Sequence, residues 1–181
     1  MTSPPLLSVA VTGLLGFALA WPVWPALAIE RDGEPAGVVR LDAEREFAIT
    51  FLHSLDNLPV EDHYAVRGGQ VVQTSTRLVE FGAGSAHLPG QGVGQADGRW
   101  WVISGMDHTI GEVNVRVGAA STEHELRYPD GVLHLADCWS GESVTLRATE
   151  LSTLERILPA SRPPLCSPTL SQGRVPETST R

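Results

Sequence analysis

Residues 47–66 read FAITFLHSLDNLPVEDHYAV, and the alternation within this stretch decides the fold. Phe47, Ile49 and Phe51 alternate with Ala48, Thr50 and Leu52, the period of two that marks a strand with one face on a core. Asp56-Asn57 supplies a turn, because Asp and Asn tolerate the left-handed conformations that tight connections demand. With those two residues as the loop, Leu55 faces Leu58, His53 faces Val60, Phe51 faces Asp62 and Ile49 faces Tyr64. Directly opposed residues share a sheet face, so Phe47, Ile49, Phe51, His53, Val60, Asp62, Tyr64 and Val66 lie together. All but His53 and Asp62 are apolar or aromatic, which makes this the core face. Glu61 and His63 fall on the opposite, wetter face with Thr50. A slip of one residue exchanges the two sets.

A histidine and a carboxylate on an apolar face must be paired or hydrogen-bonded, since stranding either one costs roughly a few kcal/mol. His53 and Asp62 are diagonal neighbours in this register, within reach of long side chains. His53, Ser54, Glu61, Asp62 and Tyr64 are therefore the candidate site. Two readings stand side by side: a polar pocket that binds a ligand or performs acid–base chemistry, and a structural His–acid pair that fixes register. Ser54 is not placed as a hydrolase nucleophile. Adjacent strand residues point to opposite faces, and the chain has no G-x-S-x-G elbow.

Outward from the hairpin, turn signals recur at short intervals. Gly68-Gly69 separates Tyr64–Arg67 from Val71–Phe81, and Asp97-Gly98 precedes Trp100-Trp101-Val102-Ile103. Val113, Val115 and Val117 alternate with polar residues. Pro129-Asp130-Gly131 divides Glu123–Tyr128 from Val132–Ala136, and Gly141 precedes Val144–Ala148. Many short strands at even spacing predict an all-β chain, a small antiparallel β-sandwich or barrel. Leu151–Leu158 is the one later helix expected. Phe81-Gly82-Ala83-Gly84 opens a glycine-rich loop that continues through Gly90, Gly92 and Gly94. It lacks the Gly-Lys-Ser/Thr ending of a phosphate-binding loop, and its expected role is to cover the mouth of the β-domain.

Residues 5–29 carry no charged side chain, about the length that spans a bilayer. One reading is a signal peptide, cut after Ala20 or after Ala28, both following A-x-A. The other is a retained anchor with Trp21 and Trp24 at the membrane interface. Either places the domain outside the cytoplasm. The expected organisation is a leader or anchor over 1–28, a β-domain over 29–158, and a disordered Pro-, Ser- and Thr-rich tail over 159–181. Net charge is −8, which argues against nucleic-acid binding. There is no lysine in the chain. The two cysteines, Cys138 and Cys166, are compatible with one disulfide in an oxidising compartment or with two thiols. The six histidines form neither H-x-H nor H-E-x-x-H, so no metal site is expected, and no cofactor motif is present.

Phe47, Ile49, Phe51, His53, Ser54, Pro59, Val60, Asp62 and Tyr64, followed by Phe81-Gly82-Ala83-Gly84, give a pattern that resembles the bacterial domain of unknown function 1850. The likeness spans residues 26–150. It departs from the family in having Asp62 where Glu is more usual, and in the four residues Ser85–Leu88 between the glycine loop and Pro89. The resemblance implies a small extracytoplasmic or membrane-anchored β-domain. Family members' genes often lie beside those of tripartite-type transporters. It therefore implies an accessory or solute-binding factor, with transporter subunits or a small solute as partners and the membrane reached through the N-terminal segment. An envelope enzyme using His53 as acid or base, and a purely structural envelope module, are the alternatives.

Overall fold

The computed structural model describes residues 16–79 and 92–158. Ten strands form from these residues: β1 (Pro22–Arg31), β2 (Glu34–Arg40), β3 (Glu46–Leu52), β4 (Pro59–Arg67), β5 (Gln70–Leu78), β6 (Val93–Asp97), β7 (Trp100–Arg116), β8 (Glu125–Tyr128), β9 (Gly131–His134) and β10 (Ser143–Ser152). Two short helices are α1 (Leu135–Trp139) and α2 (Thr153–Ile157). The strands follow the order β2-β1-β10-β7-β5-β4-β3-β8-β9, with β6 on the N-terminal part of β7. The pairings along this path are antiparallel. The chain is thus all-β, one sheet curled into a half-barrel, as its turn spacing predicts.

Local chemistry sets the turns. Asp32-Gly33 joins β1 to β2 with both residues at positive φ, 47° and 88°, the geometry of the two-residue hairpin turns that match strand twist. Gly68-Gly69 repeats the device between β4 and β5, at 58° and 76°. The 17-residue β7 closes the curl, pairing with β5 and β6 early and with β10 late. The main core lies inside this curl. Leu27, Ile29, Val39, Val113, Val144 and Leu146 from one end of the sheet meet Phe47, Ile49, Tyr64, Val66, Val71 and Leu126 from the other. A second, smaller cluster joins Leu78, Ile103 and Met106.

Three expectations are corrected. The uncharged run over 5–29 is not one leader segment: its end is strand β1, and Ala26 and Leu27 are fully buried, so residues 22–28 belong to the β-domain. Pro25, Ala26 and Leu27 are buried in succession, so both faces of β1 are covered over that stretch and its sequence does not alternate there. Residues 16–20 are helical, and among the described residues no helix is long and apolar enough to cross a membrane. The strand expected over Val132–Ala136 ends at His134, and the chain turns into α1, which buries Leu135, Ala136 and Trp139. The helix expected over Leu151–Leu158 is the shorter α2, because Leu151 and Ser152 still pair with β1. Ser152 then caps α2 reciprocally with Glu155, a capping box. Cys138 is disulfide-bonded; Cys166, the glycine loop Gly82–Gly84 and the tail 159–181 lie outside the described residues.

Candidate functional site

The β3–β4 hairpin has a longer connection than the sequence suggests. Ile49 opposes Asp62, Phe47 opposes Tyr64 and Phe51 opposes Val60. The expected two-residue turn at Asp56-Asn57 is instead a connection over residues 53–58. His53 N–H donates to the Leu58 carbonyl at 2.8 Å, and Asn57 N–H donates back to the His53 carbonyl at 2.8 Å. Asn57 takes the left-handed conformation at φ 58°. Asp56 Oδ1 accepts the Leu58 N–H at 3.0 Å and lies 3.2 Å from His53 Nδ1. This short-range carboxylate competes successfully for the backbone and holds the loop open.

The register therefore differs from the expected one by two positions. Because side chains alternate with period two, every face assignment on the paired strands survives: Asp62 and Tyr64 share the core face with Phe47 and Ile49, and Glu61 lies opposite Thr50 on the outer face. The His53–Asp62 diagonal does not survive. His53 lies four positions beyond Ile49, the residue that faces Asp62, roughly 13 Å along an extended chain. The carboxylate bonded to His53 is Asp56. Ser54 is exposed on the same loop.

Asp62 finds its partners on β5. Thr76 Oγ1 donates to Asp62 Oδ1 at 2.7 Å, Gln73 Nε2 donates to the same oxygen at 3.2 Å, and Gln73 Nε2 also donates to Thr76 Oγ1 at 3.0 Å. Gln73 and Thr76 are three residues apart, a spacing that sends side chains to opposite faces of a regular strand. A β-bulge resolves this. His63 pairs with Ser75 and Tyr64 with Gln73, leaving Thr74 as the extra residue, its hydroxyl donating to the His63 carbonyl at 3.2 Å. The bulge turns Gln73 and Thr76 to one side, both aimed at Asp62.

Burial is the main influence on Asp62 and raises its pKa above the ordinary aspartate value; the bonds from Thr76 and Gln73 and the nearby His63 pull the other way. Both bonds go to Oδ1, and Oδ2 has no hydrogen-bond partner among the described residues. Burial, then the Asp62 charge, also push the Tyr64 hydroxyl well above its usual range, and its ring stacks on Phe47 with centroids 5.2 Å apart. The result is a carboxyl of raised proton affinity, fixed through one oxygen, between the main core and the Leu78–Ile103–Met106 cluster. It can hold or release a proton, or meet a ligand group at Oδ2.

The outer face carries a row of polar and ionisable residues at matched register: His134, Glu125, Thr50, Glu61 and Arg77 on five successive strands. Glu61 Oε2 accepts from Arg77 at 2.9 Å and lies 3.6 Å from His63 Nε2. Glu125 accepts from Thr50 at 3.3 Å and from Arg127 at 3.0 and 3.1 Å, and meets His134 at 3.1 Å. A depression of about 400 Å³ lined by Asp42, Glu44, Glu46, His63 and Arg127 opens beside this row, and Asp62 does not line it. Among the described residues no group of His, Cys, Asp and Glu is placed to hold a metal ion.

Comparison with known proteins bears on residues 47–135, which match the family model for the domain of unknown function 1850. Residues 47–135 belong to that family. The matched segment contains the hairpin, the bulge and every residue bonded to Asp62. No curated protein and no solved structure matches the chain.

Of the residues named from sequence, Asp62 and Tyr64 lie together on the core face and Glu61 lies on the outer one; Gln73, Thr76 and His124 were not named. The polar run Gln73-Thr74-Ser75-Thr76 inside an otherwise apolar strand was the available signal for the first two. His124 stacks on Phe51 with centroids 5.1 Å apart and 7° between planes, and burial lowers its pKa. Only the folded chain brings those rings together.

Proposed function

We propose that this chain is an exported accessory domain, held at the membrane by its N-terminal segment, that binds a small solute at Asp62 in the service of a tripartite-type transporter. The transporter association is supported by the family likeness, whose members' genes often neighbour such transporters. Export is supported by the uncharged N-terminal run. The binding reading is carried by one observation above the others: Asp62 sits on the core face with Oδ1 fixed by Thr76 and Gln73, while Oδ2 makes no bond among the described residues. Asp62 is partly exposed and Oδ2 is not among the unpaired side-chain atoms shut off from solvent, so a solute that carries a hydrogen-bond donor can reach it and make a charge-assisted bond there.

Thermal-shift titration of the full chain against a panel of small amines, polyols and amino acids tests the binding. The expected result is a compound that raises the melting temperature of the wild type and leaves Asp62→Asn unmoved. A compound that stabilises both equally would contradict the role of Asp62. Co-purification from native membranes in mild detergent tests the association: a stoichiometric transporter subunit is expected, and a solitary protein would overturn it.

A further inference from the structure

Exposed large apolar side chains are not spread evenly over this molecule. Phe17, Leu19, Trp21, Val23, Trp24, Leu154, Ile157 and Leu158 are eight of the twelve such residues among the described ones. They come from two ends of the chain that the fold brings together. β1 pairs with β10 from Pro22 opposite Ser152 onward, so the helical residues 16–20 and α2 leave the sheet at the same end. Trp24 ties them: its indole N–H donates to Thr153 Oγ1 at 3.0 Å, and the Arg156 guanidinium lies 4.2 Å above its ring. The Glu155 carboxylate is turned back onto the Ser152 N–H and hydroxyl at 2.8 and 2.9 Å, which leaves Leu154 and Ile157 as apolar projections of α2, 43% and 66% exposed.

We propose that Trp21, Trp24 and α2 form a face that lies in the interfacial layer of a lipid bilayer, so that the domain sits on the membrane in a fixed orientation instead of swinging on a tether. The occupant is lipid because of what precedes the face in the chain. Residues 1–15 carry no charged side chain and lead directly into Phe17 and Trp21. An exposed apolar patch of this kind calls for a partner, and the uncharged segment delivers it to the bilayer surface. The chemistry matches that layer. Trp is the residue whose amphipathic ring settles at headgroup depth, and Arg156, stacked on Trp24, buries its stem while its head stays among the phosphates. α2 lies alongside as a short interfacial helix, its apolar side toward the acyl boundary.

The inference rests on the membrane-anchored reading of the N-terminal run, and the two are separable. The full chain, reconstituted in phosphatidylethanolamine–phosphatidylglycerol vesicles, is labelled with a nitroxide at Ile157→Cys under conditions that keep the disulfide. A second sample carries it at Val132→Cys on β9, at the other end of the strand order and 47% exposed. Both sites are exposed, so the fold is expected to tolerate the label. Collision with oxygen relative to a water-soluble nickel chelate should be several-fold higher at 157 than at 132. Equal, water-like values at both positions would overturn the inference, and so would shielding of 157 from both agents, which would mean that protein covers it. Carbonate extraction of the same vesicles reports the anchor separately: a retained chain with an aqueous position 157 defeats the docking face and spares the anchor, and a released chain defeats the anchor.

Discussion

Asp62 and His124 are partly buried titratable groups displaced in opposite directions, and their pH effects oppose one another. The Asp62 pKa is raised in the folded state, so the native protein holds its proton longer than the unfolded chain. Stability from this group is full below the unfolded value and is lost as pH rises through the folded one. The His124 pKa is lowered, so its contribution is full above the unfolded histidine value and is lost as pH falls. Between the ordinary Asp and His values the two trends offset. Asp62→Asn keeps an acceptor for Thr76 and Gln73 and cannot ionise. Its melting temperature at neutral pH should match or exceed the wild type and should fall more steeply on acidification, which calorimetry from pH 4 to pH 8 checks. Asp62→Ala leaves the Thr76 and Gln73 donors on an apolar face without their acceptor and should cost about 1–3 kcal/mol in urea unfolding. Asp56→Ala removes the acceptor that caps Leu58 and meets His53, and should cost about 1 kcal/mol by the same measurement. At this scale the sequence was informative about which residue was unusual and silent about its partners. An acid among alternating apolar residues is visible in the string. The pairing of Asp62 with Thr76 instead of His53 depends on a loop length that Asp56 sets by bonding to Leu58.

The β4–β5 bulge builds the site at the scale of elements. Thr74 is the extra residue, and on the far side β5 meets a second irregularity, where β7 jumps from His108 opposite Gln73 to Ser104 opposite Ser75. Gly105 and Asp107 take positive φ there, at 68° and 43°, and the sheet turns at this level from one end of the core toward the other. Deleting Thr74 would restore regular pairing and leave Gln73 and Thr76 two residues apart, still on one face. Asp62 would keep both donors, so the loss should be limited to about 1 kcal/mol for the Thr74 hydroxyl bond to the His63 carbonyl, and any Asp62-dependent ligand should still bind; urea unfolding and the ligand titration read the two effects. The strands themselves were legible because alternation and turn residues are local properties. The face assignment survived a register error because the error was two positions, a full period. The bulge was not legible: an extra residue shows only when two strands are laid side by side. Helix α1 was hidden for a related reason, since Leu135 and Ala136 continue the apolar run of Val132 and Leu133, and only burial against the core distinguishes helix from strand there.

For the whole molecule, the apolar N-terminal run carries two meanings at once. Its end is a core strand, and its beginning, with no charged side chain, is what the proposed export and membrane attachment rest on. The proposed role is narrower than either: a solute meets Oδ2 of Asp62, whose Oδ1 the curled sheet fixes through Thr76 and Gln73. Native mass spectrometry of the full chain, purified gently from its own membranes, addresses it most directly. A small-molecule adduct is expected on the wild type and is expected to be absent from an equally folded Asp62→Asn protein. The same adduct on both proteins would contradict it.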